Sequence, residues 1–441
     1  MEKRKLCIDG YNLTIEDVVS AVKGEIGPIY ISDEAIKRCR DSRKQVDKWL
    51  EKDAPVVYGV NTGLGNLKDT VIPPNVHKWW QKSLSGAHAA GFGNPVSGEI
   101  TRAELLIRAN VLCRGYSAVR VELIQRMLDL FNAGISPVVL ELGSTGLSDL
   151  GPLAQSAMVV AGIEGAEAYY NGKRDRADIL LKAAGLEPYF DLECKELLAQ
   201  MNGSTMTQAI AVLTFDKVEK LISILYAVIE EANKSDNEYE IKKVCSDINK
   251  SMEFIKNIIN FENNITCDNP LLFKTEDGSY IPRMGCNCSN TQVGYVLDLM
   301  NILIADIVSI ACNMMSQSSK NNPKLSPKLS PLQNKLSSIC LSLRSFCMPA
   351  SADSISTKGN QEDHVEFSYG AARKVMKASQ LLKSAVACQL YGLYLSKSIC
   401  KYDDKISQIM DNIEQDTFIK GYNVPLYSKL EKVEMLINNV I

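Results

Sequence analysis

Histidine is scarce in this chain: His77, His88 and His364 are the three among 441 residues. So few imidazoles exclude a histidine-rich metal centre. The tightest cysteine pair, Cys286 and Cys288 around Asn287, lacks the second pair that a structural zinc site takes. No metal is expected. Nor is there a surplus of positive charge: 49 Lys and Arg stand against 52 Asp and Glu, a formal net charge of −3. That argues against nucleic acid or an anionic membrane surface as a partner. No stretch approaches 18 uncharged apolar residues, so no membrane-spanning helix is expected. The charged start, Met1-Glu2-Lys3-Arg4-Lys5, runs into no apolar segment and does not read as a signal peptide. The 13 cysteines are odd in number and lie in apolar text such as Ile339-Cys340-Leu341, which suits free thiols of a reducing compartment. A cytoplasmic protein acting on a small molecule is the expectation.

What is present is an ordinary globular balance, 46% hydrophobic and 23% charged, on a chain too long for a single core. Up to residue 95 the text is punctuated by Gly and Pro. Ala54 to Val60 looks like a strand running into the glycine-rich loop Asn61-Thr62-Gly63-Leu64-Gly65. From Ile100 the apolar residues recur at helical spacing, first through Leu105, Leu106, Ala109 and Leu112, then through Ile124, Met127, Leu128 and Phe131. Long periodic segments follow at Ala209–Glu231, Val293–Met315 and Ser368–Ile399. The polar run Asn233 to Glu238 and the segment Lys320 to Pro331, whose repeated Ser-Pro steps read as loop, separate them. The expected fold is all-α: a long central helix bundle over 96–318, a smaller loop-rich α+β region over 1–95, and a C-terminal helical region over 319–441.

Seven short motifs occur in one order along the chain. They are Tyr58-Gly59-Val60-Asn61-Thr62-Gly63-Leu64-Gly65; Ser85 to Gly93 around His88; Arg114 to Arg120; Met201-Asn202-Gly203; Cys267-Asp268-Asn269-Pro270-Leu271; Gly285-Cys286-Asn287; and Gly359-Asn360-Gln361-Glu362-Asp363-His364-Val365. Together they resemble the histidine/aromatic amino-acid ammonia-lyase family over nearly the whole chain. The resemblance implies an all-α, fumarase/aspartase-like architecture, a homotetramer whose sites collect residues from several subunits, and a carbon–nitrogen lyase. It also implies Tyr58 and Glu362 as catalytic residues, and Asn61, His88, Asn202 and Asn287 as substrate-binding residues.

Two departures bear on the chemistry. The family makes its electrophile, a methylidene-imidazolone, from an Ala-Ser-Gly tripeptide. Here the text is Gly146-Leu147-Ser148-Asp149-Leu150, one residue short and without the glycine. Cyclisation needs a sharply folded backbone that glycine permits and Leu147 and Asp149 resist, so no cofactor is expected. The family's tyrosine- and arginine-bearing segment between Asn202 and Asp268 also has no counterpart.

An amine leaves poorly without an electrophile, whereas a trimethylammonium departs as a neutral amine. The resemblance therefore points to the ergothioneine-cleaving members of the family, with trimethylamine and thiourocanate as products. On that reading Tyr58 is the base and Glu362 accepts the ring N–H. Lys358, where relatives have a small residue, polarises the thione sulfur. The bland alternatives are a packed tyrosine, a helix-capping glutamate, a solvated lysine and a structural histidine. Another carbon–nitrogen lyase, an aminomutase or cyclase on an amino acid, and a catalytically inactive scaffold remain as alternative functions.

Overall fold

A computed structural model of the chain describes residues 3–232, 238–285, 287–357, 360, 362–396 and 404–441. The described chain is mostly helical, as the periodicity requires. It divides into two units, each assembled from three separate stretches. The first comprises Met1–Leu213, Ile258–Gly294 and Ala350–Gly370; the second comprises Thr214–Asn257, Tyr295–Pro349 and Ala371–Ile441.

In the first unit short helices alternate with small sheets. The helix Ile15–Val22 starts on a reciprocal cap, in which Thr14 and Asp17 each satisfy the other's backbone N–H. Ser32 caps Asp33–Lys48 in the simpler way. The helix Gly98–Leu112 is buried from Ile100 to Leu112, which is why its apolar residues do not confine themselves to one stripe. It packs on Val121–Ala133, which ends at Gly134 in the left-handed conformation. The small sheets are a parallel pair, Leu6–Ile8 with Ile29–Ile31, an antiparallel pair, Phe92–Pro95 with Leu140–Leu142, three antiparallel strands, Ser136–Pro137, Glu167–Tyr170 and Lys173–Arg176, and the hairpin Leu271–Lys274/Tyr280–Arg283.

The expected strand over 54–60 does not form. The Asn61 side chain takes the pairing positions instead. Its Oδ1 accepts from the Val57 N–H at 2.7 Å, and its amide donates to the Trp49 and Pro55 carbonyls at 3.0 and 2.9 Å. With its polar groups satisfied by one side chain, the segment turns rather than pairs.

The second unit is helical. Along Ser326–Phe346 the residues Leu329, Leu332, Leu336, Ile339 and Leu343 are buried at three- and four-residue spacing. This helix corrects the loop reading of the Ser-Pro run. Pro327 lies in the first turn, where a missing N–H costs nothing, and Pro331 lies inside, forgoing one bond to the preceding turn. The three longest helices are Thr205–Ala232, Thr291–Asn321 and Ser368–Ser396, with 28, 31 and 29 residues. By length and composition Thr291–Asn321 is apolar enough to cross a bilayer, contrary to the sequence reading. Val296, Met300, Ile304, Ile307 and Ala311 along it are buried in the protein, as in a core helix, while Tyr295 and Ile302 are exposed.

Candidate active site

A cavity of about 860 Å³ opens within the first unit. Tyr58, His88, Asn202 and Glu362 all line it, although the chain separates them by up to 304 positions. Four of the expected site residues thus converge. Asn61 and Asn287 do not line it, and Lys358 lies outside the described residues.

Tyr58 enters on the loop that Asn61 anchors. The following Gly59 has φ +69°, and a Cβ there would sit 2.9 Å from both Leu198 Cδ2 and Pro270 Cδ. Glycine is therefore needed to let the loop lie against those residues. Beyond it the chain closes on itself: the Gly63 N–H bonds the Thr70 carbonyl at 2.8 Å and the Ile72 N–H bonds the Asn61 carbonyl at 2.9 Å. Asn61 is buried and holds the backbone of this loop, so it stands behind the cavity wall rather than lining it.

The helix His77–His88 contributes Trp80, Leu84 and His88, spaced four apart and so on one face. His88 Nδ1 lies 2.9 Å from the Leu84 carbonyl. A carbonyl only accepts, so Nδ1 carries the hydrogen and the neutral ring offers Nε2 as an acceptor.

A chain of amides forms another wall. Asn202 Nδ2 donates to Ser148 Oγ at 3.1 Å, and Asn202 Oδ1 accepts from Asn269 Nδ2 at 3.0 Å. Asn269 Oδ1 accepts in turn from Asn287 Nδ2 at 3.1 Å. Asn287 also donates to the Asp268 carbonyl, so it orients Asn269 from behind rather than facing the cavity. Asn269 was the missed member. Its signal was its place in a matched motif, read only as evidence of relationship.

Glu362 is held by Thr357, whose hydroxyl donates to Oε2 at 2.5 Å and whose backbone pairs with it in an isolated antiparallel bridge. So held, Glu362 lines the cavity.

The loop 143–151 forms the site's floor. Gly146 has φ +101°, and a Cβ there would meet the Ser368 nitrogen at 2.5 Å. Ser148 Oγ donates to the Met201 carbonyl at 3.2 Å and accepts from the Gly203 N–H at 3.0 Å. The Asp149 N–H donates to the Gly203 carbonyl at 2.7 Å. Successive residues thus clamp both backbone groups of Gly203. The Asp149 carboxylate is fully buried, accepting from the Ser144 hydroxyl at 2.6 Å and from the Thr207 N–H and hydroxyl at 2.7 and 3.0 Å. Burial pushes it up to about 6, against the pull of those hydrogen bonds. Leu147 presents its side chain to the cavity.

Beneath the floor lie more buried charges. Lys195 pairs with Asp268; burial lowers the lysine and raises the aspartate, each opposed by the other's charge. Arg108 donates to the Asn202 and Cys267 carbonyls at 3.4 and 3.3 Å. Among the described residues no cluster of three or more His, Cys, Asp or Glu is arranged to hold a metal ion.

The chain matches the family model described as aromatic amino acid lyase over residues 13–237 and 241–413. Histidine ammonia-lyase of Alkaliphilus oremlandii is 31% identical, over 87% of this chain and 85% of that protein. The crystal structure of histidine ammonia-lyase from Trypanosoma cruzi superposes with a TM-score of 0.86 at 27% identity, covering 99% of this chain and 93% of that one. Ergothionase from Treponema denticola, solved in complex with desmethyl-ergothioneine sulfonic acid, has the same fold, with a TM-score of 0.85 at 18% identity over 99% of both chains.

Proposed function

The chain belongs to the aromatic amino acid lyase family, a family of carbon–nitrogen lyases, and from that premise we propose that it eliminates trimethylamine from ergothioneine or a closely related imidazole betaine without a protein-derived electrophile. The observation that carries this reading is the loop Leu147-Ser148-Asp149. Forming the family's electrophile requires an amide nitrogen to attack the carbonyl two residues back. Here that nitrogen is Asp149's, and its N–H is bonded to the Gly203 carbonyl. The Ser148 hydroxyl, which dehydration would expel, donates its own hydrogen to the Met201 carbonyl, which opposes its departure. The residues present do not fit the group, and no step is routed through it.

On this reading Tyr58 takes a hydrogen from the β carbon, the electron pair forms the double bond, and the C–N bond breaks with its electrons on nitrogen. Trimethylamine leaves neutral, so no acid needs to meet it. Glu362 accepts the ring N–H, and His88 Nε2 and Asn202 supply further polar contacts to ring and carboxylate. Lys358 polarises the sulfur. The rings of Tyr58 and Trp80 face the same cavity and suit a quaternary cation, which aromatic faces attract. A homotetramer belongs to the same reading: Ile302, Leu341 and Met348 of the second unit are about half to two-thirds exposed and suit burial between copies.

The direct test is to incubate the protein with ergothioneine and follow thiourocanate by absorbance and trimethylamine by mass spectrometry. Product formation abolished by Tyr58→Phe is expected. No product at high enzyme concentration refutes the reading.

A further inference from the structure

Any substrate of this type carries a carboxylate, and the arginine segment that serves it in the family is missing here. We propose that Lys68 supplies the replacement cation, and that the adjacent Lys68 and Asp69 match the adjacent carboxylate and trimethylammonium of a betaine. The inference rests on the proposed elimination.

Among the described residues Lys68 is the lysine or arginine that lines the cavity, and it makes no ion pair with another described residue. The cations beneath the floor do not line the cavity: Lys195 pairs with Asp268, and Arg108 donates through Nη1 to two backbone carbonyls. Lys68 is carried on a closed loop. Asn61 fixes its base, the Gly63–Thr70 bond closes it, and a single turn over Gly65–Leu67 sets the tip, with the Lys68 N–H on the Gly65 carbonyl at 3.1 Å. Its side chain is exposed, and its four-carbon stem gives it reach.

The loop that carries Lys68 also carries Tyr58. In an α-betaine the β carbon and the carboxyl carbon are two bonds apart, so one rigid loop holds the base and the carboxylate's partner in register. Asp69 lines the same cavity. Alone it would repel a carboxylate; beside Lys68 it provides the opposite charge that a cation on the neighbouring carbon requires.

Steady-state kinetics of Lys68→Ala, Lys68→Gln and Lys68→Arg, with ergothioneine and with its decarboxylated analogue, test this. For Lys68→Ala we expect KM for ergothioneine to rise about tenfold, as for loss of one partly desolvated ion pair, with kcat within about threefold of wild type. Arginine should restore most of the loss. Raising sodium chloride should raise the wild-type KM and leave that of Lys68→Ala flat. The decarboxylated analogue should not distinguish wild type from variant, a difference that a merely structural lysine would not produce. An unchanged KM in Lys68→Ala, or an equal loss with the decarboxylated analogue, overturns the inference while leaving the elimination standing. A wild type that neither binds ergothioneine by calorimetry nor converts it overturns both.

Discussion

Two fully buried carboxyl groups make the first unit's stability depend on pH in an unusual sense. Burial raises Asp149 from 3.8 to about 6 and Glu104 from 4.5 to about 7, against hydrogen bonds from Ser144 and Thr207 to the first and from Ser156 and Thr205 to the second. A group whose folded pKa lies above its unfolded value binds its proton more tightly when folded. Its contribution is complete below the unfolded value and is lost as the pH rises through the folded one. For Asp149 the rise corresponds to roughly 3 kcal/mol, at about 1.4 kcal/mol per pH unit. Wild type should therefore become less stable from pH 5 to pH 8. Asp149→Asn cannot ionise, and its single acceptor oxygen gives up one of the three bonds, at a cost of about 1 kcal/mol. The variant should be about 1 kcal/mol less stable than wild type at pH 3 and about 2 kcal/mol more stable at pH 8, so that the two curves cross. Trp49, Trp79 and Trp80, the chain's three tryptophans, all lie in the first unit. Urea midpoints followed by tryptophan fluorescence therefore report this unit. Curves for wild type and Asp149→Asn that run parallel across the range refute the reasoning.

The intact protein's mass should equal the sum of its residues; a mass short by two waters, mapping to a peptide containing Leu147 to Asp149, would show that the loop cyclises after all. Glu362→Gln should lower kcat/KM by about 10- to 100-fold through loss of a charged acceptor for the ring N–H, with Thr357→Val lowering it less; progress curves with ergothioneine measure both. Asn61→Ala leaves the Val57 N–H and the Trp49 and Pro55 carbonyls without their partner, and should cost about 2–3 kcal/mol, read as a lowered urea midpoint.

The long helices were legible because burial on one face forces a three-to-four-residue period, and that period survives any choice of apolar side chain. The strand expected at Ala54 to Val60 failed for a reason composition cannot carry. Val56, Val57 and Val60 have strand-like shapes, but the partner of this backbone is the amide of Asn61, four positions from the N–H it accepts. Matching text tells that an asparagine is there, not which way it points: Asn61 turns to its own loop and Asn287 stands behind Asn269, whereas Asn202 and Glu362 line the cavity. Trp80 and Leu84 could have been found from spacing alone, since a helix ending in a matched histidine must present the residues four and eight before it on the same face. Lys68 carried no such signal, because its position depends on a loop closure between Gly63 and Thr70 that no local pattern announces.

On the proposed reading Asp69 meets the substrate nitrogen from one side and the leucine at the cavity floor meets it from another, and the leucine bears on which nitrogen is tolerated. A primary ammonium brings three N–H donors, and each must find an acceptor or lose its hydration uncompensated. A trimethylammonium brings none. Leu147, whose neighbours Cys288 and Val365 are also buried, offers no acceptor. On the proposed reading, a hydrocarbon surface stands where an electrophile would otherwise bond the amine. Such a surface disfavours a primary amine and is indifferent or favourable to methyl groups, and departure of a neutral amine needs no further partner. Turnover should therefore climb with methylation at the α nitrogen: negligible for 2-thiohistidine, low for the mono- and dimethyl compounds, highest for the trimethyl one. Leu147→Ser or Leu147→Asn should narrow that spread by providing a polar partner, without creating a leaving group from the primary amine. Rates measured across the four substrates decide the matter. A wild type that turns over 2-thiohistidine as fast as its trimethyl derivative has another means of expelling nitrogen, and the argument from Leu147 fails.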